Sequence, residues 1–282
     1  MDIAELQKWV GKTETQTDQI TATPLAAMSA TLDIDAPPPQ PGDAVPPLWH
    51  WLWFLSIHRQ SELAADGHAA RGGFLPPVPL PRRMWAGGRF EFQRPLRVGE
   101  TFTRTSRIVS VEQKKGRSGA LVFVVVRHEI GNSGGVALTE EQDIVYREHS
   151  KRGDPERTPE RAPAGSAWER IVHADDVLLF RYSALTFNAH RIHYDRRFAT
   201  EVEGYPGLVV HGPLIATMLL DLLRRHMPEA KAMRFAFRSA SALYDIAPFA
   251  LCGKHEIDGT VFLWAKDANG GAATTATAVI AT

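Results

Sequence analysis

Short β-rich runs separated by glycine-containing turns fill residues 89–146, "RFEFQRPLRVGETFTRTSRIVSVEQKKGRSGALVFVVVRHEIGNSGGVALTEEQDIVY", and residues 234–281 repeat their order. Each stretch opens on an Arg-Phe-x-Phe strand. A proline bend, a long alternating strand, a β-branched and aromatic strand ("ALVFVVVRHEI" against "TVFLWAK"), a Gly-rich turn and a final strand follow. The chain therefore reads as internally duplicated. Upstream of the second copy, Pro213 stands at a helix start. Leu214, Ile215, Met218, Leu219, Leu222 and Leu223 then form a broad apolar stripe opposite Asp221, Arg224 and Arg225, and Pro228 stops the helix. "VPPLWHWLWFLSIHR" occupies the same slot in the first copy, which predicts a second buried helix there. A helix that apolar needs a wide partner, and a curved sheet wrapped round it supplies one, so the expected class is α+β in two copies.

The segment from residue 150 to residue 167, "SKRGDPERTPERAPAGSA", is charged and proline-rich and has no aromatic residue. It reads as a linker between an N-terminal unit (1–149) and a C-terminal unit (168–282). Composition narrows the function further. The 282 residues carry 32 basic and 32 acidic side chains, so no global field draws the chain to nucleic acid or anionic lipid, and the expected partner is a small molecule. Hydrophobic residues make up 44 %, and no apolar run approaches the roughly 20 residues that span a bilayer. The N-terminus lacks a basic and apolar leader pattern, and the single cysteine, Cys252, allows no internal disulfide; both fit the cytoplasm. Cys252 lies in an apolar stretch and is assigned no chemistry.

Chemistry concentrates in "SALTFNAHRIHYD", residues 183–195. "SALTF" reads as a strand entering a loop that holds Asn188, His190, Arg191, His193 and Asp195. Taken singly, these residues are ordinary loop and cap formers. As a group they precede "VVHGPL", where His211 and Gly212 sit at a helix start whose free backbone N–H groups can receive developing negative charge.

These residues resemble the hydratase 2 or MaoC-like dehydratases, and within them the FAS1-type dehydratase or mesaconyl-C4-CoA (3-methylfumaryl-CoA) hydratase branch. The family motif is Asp-x-Asn-Pro-(Ile/Leu)-His, followed further on by His-Gly. Asn188 to His193 match its spacing, His211 and Gly212 match its second part, and "ARGGFLPPVPLPRRMWAGGRFEF" (70–92) also looks like this branch. The resemblance covers the chain from about Trp49 onward. It implies a double hot-dog fold and reversible addition of water to an enoyl-CoA. One departure stands out: Asn188 occupies the place of the family's acid.

The chemistry assigns roles accordingly. An imidazole with an ordinary pKa near 6.5 can take a proton from water and return it to the α-carbon, so His193 is the expected base. Asn188 holds the water through its amide oxygen, and the Gly212 N–H bonds the thioester oxygen. His190 and His211 are expected to shape the substrate site. Arg191, in place of the motif proline, either reads a free carboxylate on the acyl group or pairs with Asp195 or Glu201. Arg82 and Arg83 of "LPRRMW" are candidates for the CoA phosphates or that same carboxylate; the alternative is two solvated arginines. The tryptophans at 49, 51 and 53 either line an acyl tunnel or belong to the core. No metal or redox cofactor is needed. The expected substrate is mesaconyl-C4-CoA, giving a citramalyl- or malyl-type CoA, with a 3-hydroxyacyl-thioester dehydratase of fatty acid or itaconyl-CoA metabolism as the alternative. Two rivals come from other classes. One is a metal enzyme using His190, His193 and Asp195, which activity after chelation would remove; the other is a non-catalytic acyl-CoA-binding module. A double hot-dog chain already makes the usual pairing internally, and a homodimer is compatible with that.

Overall fold

The structure is a computed structural model that describes residues 1–116, 119–148 and 159–281. In its first half a short helix α1 (Ile3–Gln7), strand β1 (Thr13–Gln19) and helix α2 (Ala22–Thr31) precede four strands: β2 (Arg82–Phe92), β3 (Thr101–Gly116), β4 (Gly119–Asn132) and β5 (Gly135–Arg147). The second half runs β6 (Trp168–Val172), α3 (Asp176–Leu185), α4 (Gly212–His226), β7 (Lys231–Ser239), β8 (Phe249–His255), β9 (Thr260–Lys266) and β10 (Ala272–Ala281).

All ten strands form one antiparallel sheet in the order β1-β3-β4-β5-β2-β7-β10-β9-β8-β6. The two Arg-Phe-x-Phe strands, β2 and β7, pair with each other at its centre, Phe90 opposite Phe235 and Gly88 opposite Phe237. That seam is close: a Cβ at Gly87 would meet the Phe237 carbonyl oxygen at 2.5 Å, so the position requires glycine. Phe90 stacks on Phe237 and meets Phe235 at a tilt across it, all three centroids about 6 Å apart. The duplicated order seen in the sequence is thus two five-stranded halves joined edge to edge.

In the second half the apolar stripe buries α4 as expected. Residues 214–223 are inaccessible, packed on β6, β8, β9 and β10. Asp221 is buried with them, held by Arg170, Arg224 and Arg225 at 2.7 to 3.2 Å.

Two element readings are corrected. Residues 45–59 form no long helix; they make a single 3₁₀ turn, Trp49–Leu52, bounded by left-handed backbone at Leu48 (φ 69°) and Phe54 (φ 55°). Trp49, Leu52 and Trp53 fall at helical spacing, but the run has low propensity for a helix, because large rings lose χ1 freedom against the preceding turn. Trp49 and Trp53 are core. The inner sheet face beneath the turn is occupied by a polar network in which Glu140 accepts from Trp51 Nε1 (3.1 Å) and Gln142 Nε2 (2.7 Å) and pairs with His50 Nε2 (2.8 Å). Burial alone would raise the Glu140 carboxyl; His50 and Gln142 outweigh it and hold it near 2. The second correction concerns "SALTF". It ends helix α3, whose N-cap Asp175 accepts from the Leu178 N–H at 2.8 Å and whose buried Leu179, Tyr182 and Ser183 fall at helical spacing.

Of the expected linker, residues 150–158 lie outside the described residues. Residues 159–167 run against the second half, with Arg161 bridged to Gly271 and the Ala167 N–H donating to Gly253 O at 2.9 Å. Cys252 is buried beside Trp264, and burial raises its thiol to about 11, so no thiolate forms near neutral pH.

Candidate active site

Helix α3 delivers the motif loop. Phe187 takes a left-handed conformation (φ 49°), the Asn188 N–H donates to Ser183 O at 2.8 Å, and Asn188 Oδ1 accepts from the His190 N–H at 3.0 Å. A 3₁₀ turn, Arg191–His193, follows. Nδ1 of His193 lies 2.7 Å from the Val209 carbonyl oxygen, which can only accept. The ring therefore carries its proton on Nδ1 and presents a bare Nε2, the form a general base needs. Burial pushes the His193 pKa down to about 4 against the Val209 bond, which raises it, so the imidazole is neutral at pH 7.

Three more histidines surround it. The His211 ring stacks on His193 with centroids 3.7 Å apart at 17°. His211 is inaccessible, its Nε2 sits 2.8 Å from Ser183 Oγ, and the Tyr182 ring meets its edge. Burial and the neighbouring His193 and His190 hold its pKa well below the usual range. His190 stands perpendicular to His193 at 5.4 Å and is pushed down to about 2, first by burial and then by His68 and His193.

Gly212 begins α4 directly after His211, so the stacked pair places the His193 imidazole beside the helix start. The first-turn N–H groups have no intrahelical acceptor, and Pro213 has none to offer, which leaves Gly212 and Leu214 as donors. A Cβ at Gly212 would meet only Ser239 Oγ at 3.7 Å and Trp85 O at 4.0 Å. The protein's own packing therefore does not require glycine there. The neighbouring Ser239 hydroxyl is buried without a hydrogen-bond partner among the described residues.

The fourth histidine comes from the first half. A tight turn at residues 63–69, closed by the Leu63–Ala69 bridge, lays the Asp66 carbonyl on the Arg191 N–H at 2.9 Å and brings the His68 ring 3.9 Å from His190. His68 Nδ1 pairs with Asp66 Oδ2 at 3.0 Å. Burial would raise the Asp66 carboxyl, but His68 outweighs it and holds it well below the carboxylate range. Burial, opposed by Asp66 and aided by Arg83, lowers His68. Sequence reasoning missed this pair. "ADGH" signals only a turn, and nothing local ties it to a motif more than a hundred residues on.

The arginines divide. Arg191 takes the second of its two expected roles: Nε and a terminal nitrogen lie 3.0 and 2.7 Å from Asp195 Oδ2, another nitrogen donates to Ala65 O, and the guanidinium covers the Phe198 ring. The expectation that it reads a carboxylate is corrected accordingly. Asp195 braces the loop, accepting from the Phe198 N–H at 3.0 Å, and does not orient an imidazole. The metal set His190, His193 and Asp195 is therefore not assembled. A different trio, Asp66, His68 and His190, has ligand atoms within 4.8 Å of one another and is the group that could gather a cation. Arg82 is neither solvated nor turned to a ligand: it pairs with Glu203 at 3.0 Å over the Tyr205 ring. Arg83 lies near enough to the His68 and His190 rings to lower both.

A sheet of two hot-dog halves carries a buried neutral imidazole set beside the start of the one long helix among the described residues, an arrangement of the double hot-dog class. The family pattern described as hydroxyacyl-thioester dehydratase type 2 matches residues 48–245, and the chain belongs to that family. It is 46 % identical over 277 residues, 98 % of each chain, to the mesaconyl-C(4)-CoA hydratase of Chloroflexus aurantiacus. It is 28 % identical over 260 residues, covering 83 % of this chain and 82 % of the other, to the mitochondrial hydroxyacyl-thioester dehydratase type 2 of Schizosaccharomyces pombe. Among solved structures, the MaoC-like dehydratase of Phytophthora capsici superposes with a TM-score of 0.70 at 12 % identity, over 100 % of this chain and 98 % of that one. A Mycobacterium tuberculosis protein described as a double hotdog superposes with a TM-score of 0.58 at 12 % identity, over 99 % and 98 %. No helix among the described residues is long and apolar enough to cross a membrane.

Proposed function

We propose that the chain is a hydratase that adds water reversibly to mesaconyl-C4-CoA, forming a citramalyl-type CoA. The observation that carries the reading is the tautomer of His193: a buried imidazole whose Nδ1 is tied to the Val209 carbonyl has only Nε2 left for chemistry. Nε2 takes a proton from water as the hydroxyl adds to the β-carbon, the negative charge passes to the thioester oxygen at the Gly212 amide, and the imidazolium returns its proton to the α-carbon. Water supplies both atoms added, and the base ends as it began. Asn188 contributes its amide to hold the water, its Oδ1 already receiving one backbone N–H. Asn188 cannot accept the proton, which leaves His193 as the single shuttle. His190, neutral by burial, borders the acyl group without competing for charge, and the inaccessible His211 backs the His193 ring. The near full-length relative whose printed name is that hydratase supports this substrate over a plain enoyl chain. We place the reaction in the cytoplasm, with acyl-CoA as the partner and a homodimer as a compatible assembly.

The test is the loss of the enoyl-thioester absorbance with mesaconyl-C4-CoA, crotonyl-CoA and itaconyl-CoA. Turnover fastest on mesaconyl-C4-CoA is expected. Preference for crotonyl-CoA moves the chain to the dehydratase alternative, and binding without any loss of absorbance makes it a binding module.

A further inference from the structure

Mesaconyl-C4-CoA makes a demand that a plain enoyl thioester does not. Its β-carbon, which receives the hydroxyl, also carries a methyl and a free carboxylate. A full negative charge must therefore enter the buried site next to His193, which is costly unless a cation meets it.

The arginines near the motif loop are nearly all committed. Arg191 pairs with Asp195, Arg82 with Glu203, and Arg71 donates to the carbonyls of Val78 and Pro81. Arg83 is different: among the described residues no carboxylate lies within ion-pairing distance of it. It sits directly opposite Tyr146 in the β2–β5 register, so the two side chains leave the same face of the sheet. The Tyr146 ring is inaccessible, and its hydroxyl is buried without a bond of ordinary distance and angle. Arg83 lies close enough to act on that hydroxyl and on the His68 and His190 imidazoles. His190 in turn abuts His193.

We propose that Arg83, with the Tyr146 hydroxyl, binds the free carboxylate of a dicarboxylate monothioester and so selects it over plain enoyl-CoA. A guanidinium fork matches a carboxylate in two bonds, and the phenol adds a third donor. The site deepens the functional reading above and rests on it for the identity of the substrate.

Two comparisons test it. In turnover, Arg83→Gln is expected to lower kcat/KM for mesaconyl-C4-CoA by roughly 10- to 100-fold, the range typical for a charge-assisted bond, while crotonyl-CoA changes by less than about threefold. Arg83→Lys is expected to fall between, and Tyr146→Phe to show a smaller loss of the same selectivity. In binding, succinyl-CoA and butyryl-CoA differ only in the terminal carboxylate and cannot be hydrated; the wild-type protein is expected to bind succinyl-CoA more tightly and Arg83→Gln to erase that preference. If none of the three variants loses the carboxylated thioester selectively and succinyl-CoA holds no advantage that depends on Arg83, the proposal is overturned. A wild-type protein inactive on mesaconyl-C4-CoA would overturn the functional reading instead, and the succinyl-CoA comparison would still decide the carboxylate site.

Discussion

At the scale of the residue, the site is a matter of which nitrogen carries the proton. The Val209 carbonyl fixes the His193 tautomer, and burial keeps the ring neutral down to about pH 4. His193→Ala is therefore expected to lower kcat by ~10² to 10⁴ with the fold intact, the usual worth of a positioned base. Asn188→Asp, which keeps the oxygen that receives the His190 N–H, is expected to retain part of the rate. Stopped assays of the enoyl absorbance check both, and a His193→Ala enzyme at full rate removes the mechanism. The same burial sets the pH profile. Since the base stays unprotonated well below 6.5, the acid limb of kcat/KM should lie below pH 6 and not at the pKa of a free imidazole.

At the scale of the element, the contact that completes the histidine cluster is the docking of the 63–69 turn on the motif loop. Gly67 makes it possible: its φ is +87°, and a Cβ there would stand 1.8 Å from the Ala189 carbonyl oxygen. Gly67→Ala cannot be absorbed by a flexible side chain, because the obstacle is backbone. The left-handed φ costs an alanine ~1 kcal/mol and relief of the overlap ~1 to 3 kcal/mol more. The expected result is a lower urea midpoint together with a lower kcat, since the displaced turn takes His68 with it; an unchanged kcat would mean that the turn is only a cover. The α4 stripe, the chain order of the four strands in each copy and the Arg-Phe-x-Phe repeat are legible in the sequence, because burial imposes a period on local sequence; the sheet order and the edge strands β1 and β6 are not. The missing first-half helix and the helical "SALTF" were not. Aromatic runs satisfy either period, and what decided them was the Glu140 network under one and the Asp175 cap on the other.

At the scale of the whole molecule, several histidines are kept neutral inside the fold: His128 and His193 near 4 and His190 near 2, each chiefly by burial. An unfolded imidazole titrates near 6.5, so between that value and about 4 the unfolded chain binds more protons, and stability is lost as pH falls through this window. Glu140 acts in the same sense lower down; its contribution is present above 4.5 and is lost as pH falls toward 2. The urea midpoint is therefore expected to be level between pH 7 and 8 and clearly lower at pH 5. Equal midpoints at pH 5 and 7 would mean that these rings are not held neutral.

The division between the two sources of knowledge follows from distance along the chain. Strand periodicity, the α4 stripe and the motif from Asn188 to Asp195 each lie within one short segment, so the residues that make them declare one another in order, and the family class was legible from them. The pairing of Arg82 with Glu203 and the arrival of Asp66 and His68 beside His190 depend on segments a hundred residues or more apart. Identical local sequence is compatible with Arg191 facing a ligand or facing Asp195; in the fold it pairs with Asp195 while the first half meets it through the carbonyls of Ala65 and Asp66, and only that long-range contact brings His68 to His190.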